Sequence, residues 1–358
     1  MTYANFCAFY LYISEKNRTF APDFENDTMN TSSAYPALID LHLHMDGSVP
    51  VKTARMLAAM QGIALPASDE ELRSKMSLTP DCHDLNDYLE RFDIACSLLH
   101  TRDGLRVCAR ELLNDLHEQG LMYAEIRFAP QSSCEQGLTQ LEAAQAVIEA
   151  FRDAPIPCGL ILSMMRGDDR HERNMETVEV AKQLHGKGVV AVDLAGAEAL
   201  YPTRLFNKEF AAVREAGVPL IIHAGEAAGA ESVREAIEAG AVRIGHGVRA
   251  LEDPSVVMLL AEKRIMLELC PTSNIDTGIF SSYEEYPLRR LMEAGVRVCI
   301  NTDDMTVSST TLKDEWNHVI ETFHLNDLEV QHILRDTIEA SFAPPAVKQS
   351  LLCQLSNI

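Results

Sequence analysis

The sequence predicts an α/β protein: a (β/α)8 barrel with a helical insertion after its first strand and extra helices at its C-terminal end. Three observations predict it. From Leu121 onward, short apolar runs alternate with amphipathic stretches, and alternating β and α units imply a parallel sheet. With an opening run at Ile39–His44, the strand candidates number eight. Titratable residues gather at the C-terminal ends of those runs, the face where such a barrel carries its chemistry. A doubly wound open sheet is the competing fold. No glycine-rich phosphate fingerprint follows an early strand, which counts against it.

The chain begins with an extension, residues 1–35. Asn5 to Ile13 is apolar and aromatic but lacks the basic segment and small-residue cleavage site of a signal peptide. Asn17 to Thr28 is polar and non-periodic, and Met29 follows at once. Met29 is read as the natural start; the alternative is a genuine extension packed on the barrel. Residues 36–358 are expected to form one domain, with a helical lid region over 49–119.

The first strand ends Ile39-Asp40-Leu41-His42-Leu43-His44-Met45-Asp46-Gly47. Side chains two apart in a strand share a face, so His42 and His44 project together. Two imidazoles there suit a metal ion, or equally a hydrogen-bonded core. Val49 to Met60 then takes helical spacing. In the segment that follows, Leu85, Tyr88, Leu89 and Phe92 fall on one helical face. That face reads either as core or as an apolar flap over a site.

The later strand candidates are Leu121–Phe128, Ile156–Met164, Val189–Leu194, Val218–His223, Val242–His246, Ile265–Leu269 and Val296–Asn301. The helices between them are Thr139–Arg152, Asn174–Leu184, Lys208–Ala216, Ala230–Ala239, Pro254–Glu262 and Tyr286–Ala294. Gly217, Gly240 and Gly295 follow helices, where a left-handed cap is favoured. Leu312 to Ile358 reads as helical and packed outside the barrel.

Composition narrows the function. A net charge of −22 at pH 7 argues against a nucleic-acid partner. Nine cysteines, an odd number without a Cys-x-x-Cys pair, fit buried thiols in a reducing cytoplasm. No apolar run is long enough to span a bilayer.

Read only at their C-terminal ends, the strands give His42, His44 and Asp46; Asp193-Leu194-Ala195-Gly196; His223-Ala224-Gly225-Glu226; Gly245-His246-Gly247; Cys270-Pro271-Thr272-Ser273-Asn274; and Asn301-Thr302-Asp303-Asp304. The His-x-His-x-Asp-Gly opening, His-Ala-Gly-Glu, Gly-His-Gly and Thr-Asp-Asp, in this order, resemble the adenosine deaminase family of barrel amidohydrolases. The resemblance covers Pro36 to about Thr310. It implies that His42, His44, His223 and Asp303 hold one Zn2+ ion, and that Glu226 shuttles a proton. It implies that His246 and Asp304 orient the attacking water. Asp46 and Gly196 resemble the positions that hold ribose and purine, beside His44. Leu85, Tyr88 and Leu89 resemble an apolar gate. The family usually has Phe where Tyr88 stands and Pro where Met305 follows the acidic pair; neither change is expected to touch the chemistry.

The implied reaction is zinc-dependent hydrolytic deamination of adenosine and 2′-deoxyadenosine in purine salvage, by a cytoplasmic monomer or homodimer. A related adenine compound is the alternative substrate, either adenine, an N6-substituted AMP or another adenosine-like nucleoside. Three imidazoles and one carboxylate leave a zinc ion strongly acidifying toward water. With water added the ion has five ligands, so Asp303 is expected to bind at longer range, and Thr302-Asp303-Asp304 must bend for both acids to face inward. Ser273 and Asn274 read as loop hydrogen-bonders, and Arg166 as a partner in a structural ion pair. A two-metal barrel hydrolase usually has a lysine at the end of strand four, and none stands there. A catalytically silent binding barrel would usually have lost a ligand or Glu226. Zinc deaminases with cysteine ligands are excluded by the lack of their His-x-Glu and Pro-Cys-x-x-Cys pattern.

Overall fold

The computed structural model describes residues 37–78, 88 and 90–356. The expectations placed on Met29, on the remainder of residues 1–35, and on Leu85 and Leu89 lie outside these residues.

Among the described residues there are eight strands: β1 (Leu38–His44), β2 (Leu121–Phe128), β3 (Cys158–Met165), β4 (Val189–Ala195), β5 (Ile221–Ala224), β6 (Arg243–His246), β7 (Met266–Leu269) and β8 (Arg297–Ile300). They pair in parallel in the orders β1-β2-β3-β4 and β5-β6-β7-β8. Single bridges at Val192–Leu220 and Leu43–Asp303 join the two groups into a ring. The strands are buried almost throughout because both faces are covered, one by the barrel interior and one by helices. This is the predicted (β/α)8 barrel.

Between β1 and β2 lie α1 (Val51–Gln61), α2 (Asp69–Met76), α3 (Asp93–Ser97) and α4 (Arg102–Glu118), the expected helical insertion. The outer ring follows with α5 (Gln140–Ala150), α6 (His171–Leu184), α7 (Asn207–Ala216), α8 (Ala230–Ala239) and α9 (Pro254–Lys263). Short helices α10 (Pro271–Asp276) and α11 (Leu288–Glu293) precede β8. After it come α12 (Leu312–Phe323), α13 (Asp327–Ala340) and α14 (Pro345–Leu355). Their starts are encoded locally. Thr139, Thr311 and Asn326 each form a reciprocal capping box with the acid three residues on.

Several boundaries shift by one to three residues from the sequence reading, and two of the shifts are set by prolines. β5 starts at Ile221 rather than Val218, because Pro219 has no N–H to give a ladder. Its carbonyl still accepts from Val192, at 2.9 Å. α11 starts at Leu288 rather than Tyr286, because the residue before Pro287 is held extended, with ψ 136°.

The barrel interior is charged as well as apolar. Arg127 on β2 is fully buried and lies 2.7 Å from Glu268 on β7 and 3.4 Å from Asp193 on β4. Arg243 on β6 lies 2.6 Å from Glu268 and 2.5 Å from Glu125 on β2. Each charge has an opposite neighbour, the condition under which burial is tolerable.

Candidate active site

Each predicted titratable residue sits at a strand end because its motif follows an apolar run that the barrel buries. His42 and His44 end β1, His223 lies in β5, and His246 ends β6. Asp303 follows β8 with φ +65°, the bend needed for neighbouring acids to face one site. A ligand-capable atom from each of His42, His44, His223 and Asp303 falls within one 4.8 Å cluster. Asp303 points inward: Oδ1 lies 3.3 Å from His42 Nε2 and 3.4 Å from His44 Nε2.

This donor set fits a divalent cation. His42 Nδ1 lies 2.7 Å from Glu268, and His223 Nδ1 lies 3.0 Å from Asp193. Those carboxylates take the Nδ1 protons, so the lone pairs at Nε2 face the cluster. His42 Nε2 is buried without a hydrogen-bond partner. His44 Nε2 and His223 Nε2 approach to 3.2 Å, an arrangement a cation between them resolves. Burial pushes the His44 imidazole well below its ordinary pKa, which suits a neutral ligand. A second grouping replaces His44 and His223 with His246 and Cys270. It shares His42 and Asp303 with the first, and burial drives the Cys270 thiol far up, away from the thiolate a metal needs.

Glu226 lies beyond β5 with Oε2 3.7 Å from His246 Nε2. Burial, and then the Asp303 and Glu198 carboxylates, push its carboxyl up to about 8. Asp304 is raised well above the carboxylate range by burial and by the adjacent Asp303. Asp46 is raised to about 6 by burial, and its Oδ1 has no partner among the described residues. Burial lowers His246 to about 3, so its imidazole is neutral near pH 7. Tyr286 donates to Asn274 Oδ1, and Asn274 Nδ2 lies 3.0 Å from His246 Nδ1. That chain leaves the His246 proton on Nε2, facing the site.

The site opens onto one cavity of about 860 Å³ at the barrel mouth. His44, Asp46, Tyr88, Gly196, Glu226, His246, Asp303 and Asp304 are on its wall. His42 is fully buried beneath it. Two glycines are required by close approach. A Cβ at Gly47 would stand 1.7 Å from Asp304 Oδ1, and one at Gly245 would stand 2.9 Å from His42 Cε1. Gly245 thus makes room for the imidazoles rather than for substrate.

Several sequence expectations change. Tyr88 is more than an apolar gate: its hydroxyl donates to Asp304 Oδ2 at 2.7 Å, a contact a phenylalanine would not make. Met305 donates its N–H to Ser48 Oγ at 3.0 Å, a bond a proline could not make. Ser273 donates to Asp303 Oδ2 at 2.7 Å, so Ser273 and Asn274 act on site residues rather than only within their loop. Arg166 makes no ion pair among the described residues and instead donates to the His223 carbonyl at 2.6 Å. Sequence reasoning missed Arg127, Glu268 and Asp193 as supports. The signal was available, since a lone charge inside an apolar strand needs a buried partner.

Arg127 touches the carboxylates behind two of the three imidazoles. Arg127→Gln is expected to destabilise the fold by about 3–5 kcal/mol, the cost of leaving a buried charge unpaired. It should also speed metal loss to a chelator. Denaturant unfolding and chelator-dependent metal release check both effects.

A sequence model described as adenosine deaminase matches residues 37–358, so the likeness runs through the C-terminal helices, past the Thr310 limit read from the motifs. An adenosine deaminase of Haemophilus ducreyi is 42% identical over 329 residues, covering 89% of this chain and 96% of that protein. An adenine deaminase from Arthrobacter aurescens superposes with TM-score 0.81 at 28% identity, covering 90% of this chain and 99% of that one. An N6-mAMP deaminase from Arabidopsis superposes with TM-score 0.78 at 25% identity, over 90% and 98% of the two chains. With its barrel, its motifs and nearly its whole length matched, this chain belongs to the adenosine deaminase family.

Proposed function

We propose that the protein hydrolyses adenosine and 2′-deoxyadenosine to inosine and 2′-deoxyinosine with release of ammonia, as an enzyme of purine salvage. The observation that carries this reading is the convergence of three imidazoles and Asp303 on one point, with Glu226 beside it. A divalent cation held there, zinc in our reading, supplies Lewis acidity that brings the pKa of water to about 7 and so provides a nucleophile at neutral pH.

The chain's own groups do the rest. Glu226 accepts a proton from the attacking water and delivers it to N1 of the purine, which must gain one as C6 is attacked. It then assists departure of ammonia. His246 aims a neutral Nε2–H at the nucleophile. Asp304, whose carboxyl burial and Asp303 push up, donates toward N7 while its other oxygen takes the Tyr88 hydroxyl. Asp46 offers its unpartnered oxygen to a ribose hydroxyl, and Gly196 presents backbone to the ring.

Substrate choice follows from the wall. A cavity of about 860 Å³ admits a nucleoside. Free adenine would leave Asp46 without a partner. Among the described residues, the wall carries Asp46, Glu198, Glu226, Glu252, Glu285, Asp303 and Asp304 against only Arg249 and Arg290. Arg249 is already bonded to Glu252, at 2.8 Å. That balance favours a neutral nucleoside over a phosphorylated one. The named activity of the 42%-identical relative supports the same choice.

The test is a panel of adenosine, 2′-deoxyadenosine, adenine and N6-methyl-AMP, followed by ultraviolet absorbance and by ammonia release. The two nucleosides should have the highest kcat/KM. A preference for adenine or for the nucleotide would overturn the assignment. Tyr88→Phe frees an Asp304 oxygen without touching a metal-facing group. It is expected to change KM for adenosine by about tenfold or less, the scale of one hydrogen bond, and to leave metal content at the parent level. Steady-state kinetics with metal analysis checks this.

A further inference from the structure

We propose that Glu198 is a positioning residue that holds the backbone after β5 in the shape that aims Glu226 at the substrate. The inference rests on the reading of Glu226 as the proton carrier.

Glu198 lies on the loop after β4, two residues past Gly196, and is 1% exposed. Its carboxylate crosses to the next loop and accepts four successive backbone N–H groups. Oε1 takes Gly225 at 2.8 Å; Oε2 takes Glu226 at 3.1 Å, Ala227 at 2.8 Å and Ala228 at 2.9 Å. Successive N–H groups that converge in this way form a concave anion site, of the kind that elsewhere cradles phosphate. Here a side chain of the same protein fills it. The turn is specific: Gly225 has φ +71°, and a Cβ there would stand 2.4 Å from Val233. Arg166 anchors the start of the same segment through the His223 carbonyl.

No other residue type supplies this contact. A glutamine offers one carbonyl oxygen and turns its NH2 group against N–H donors. An aspartate falls short by one methylene. Glu226 itself is 22% exposed at its side chain, so its direction is set by its backbone more than by packing. Losing the Glu198 contact frees that backbone while leaving every metal-facing group in place.

The experiment compares Glu198→Gln, Glu226→Gln and the double variant in the metal-loaded enzyme. Glu198→Gln is expected to lower kcat for adenosine by about 10- to 100-fold, the scale on which supporting residues act. KM should stay within about threefold, since the ribose and ring contacts are untouched. Metal content should remain at the parent level, and amide hydrogen exchange of the 225–228 backbone should accelerate. If Glu198 acts through Glu226, the double variant is no slower than Glu226→Gln beyond about twofold. Parent kcat in Glu198→Gln, additive losses in the double variant, or a kcat loss that tracks metal loss would each overturn the inference. Parent activity in Glu226→Gln would instead overturn the proton-carrier reading itself. Should Glu198→Gln lack the cooperative unfolding of the parent, Glu198→Asp replaces it with the same expectations.

Discussion

Glu226→Gln is expected to bind metal at the parent level and to lose about 10²–10⁴-fold in kcat, the range that a positioned proton carrier contributes. The amide keeps the size and much of the polarity of the carboxyl but can neither accept the proton from water nor deliver it to N1. Glu226 faces a cavity lined with acids, and burial with the Asp303 and Glu198 carboxylates lifts its carboxyl to about 8. A carboxylate so raised is a stronger base toward the water proton than an ordinary glutamate, as its first step requires. Because Gln lacks that proton chemistry at every pH, the remaining activity should show no dependence on this ionisation. Single-turnover kinetics with metal analysis checks both halves. Activity within tenfold of the parent would remove Glu226 from the chemistry.

His42→Ala should have a larger effect still, by a different route. His42 is fully buried, its Nδ1 is tied to Glu268, and its Nε2 has no hydrogen-bond partner among the described residues. Truncation removes one of four donors and takes one hydrogen-bond partner from the Glu268 carboxylate. Metal affinity should fall by more than about 100-fold, beyond the loss expected for a supporting residue alone. Activity at limiting metal should fall in parallel. Glu268 keeps Arg127 and Arg243 as partners, so the fold should survive the change. A chelator competition assay reads the affinity. Unchanged affinity would place the cation elsewhere.

Much of this was legible in the sequence for physical reasons. Strand and helix repeats have distinct periods, so eight apolar runs and their partner helices stand out. The site motifs are local in sequence, and each closes a strand, so a barrel necessarily brings them to one mouth. The misreadings have causes of another kind. Pro219 and Pro287 shift element starts through backbone effects that apolar periodicity does not register. Tyr88, Ser273 and Asn274 read as gate and loop residues because their partners, Asp304, Asp303 and His246, come from other segments of the chain. Arg127, Asp193 and Glu268 pair across the barrel, over separations of 66 residues or more. No window of sequence contains both members of those pairs. Glu198 was invisible for the same reason, since its partners are backbone groups on a neighbouring loop.

The central claim is that one metal ion, gathered by His42, His44, His223 and Asp303, makes this protein a deaminase. Titrating the metal-stripped protein with Zn2+, while adenosine consumption is followed by ultraviolet absorbance, tests it most directly. The account predicts no turnover in the stripped protein, a linear return of activity, and a plateau at one equivalent per chain. Full activity without metal, or a plateau only at two equivalents, would contradict it.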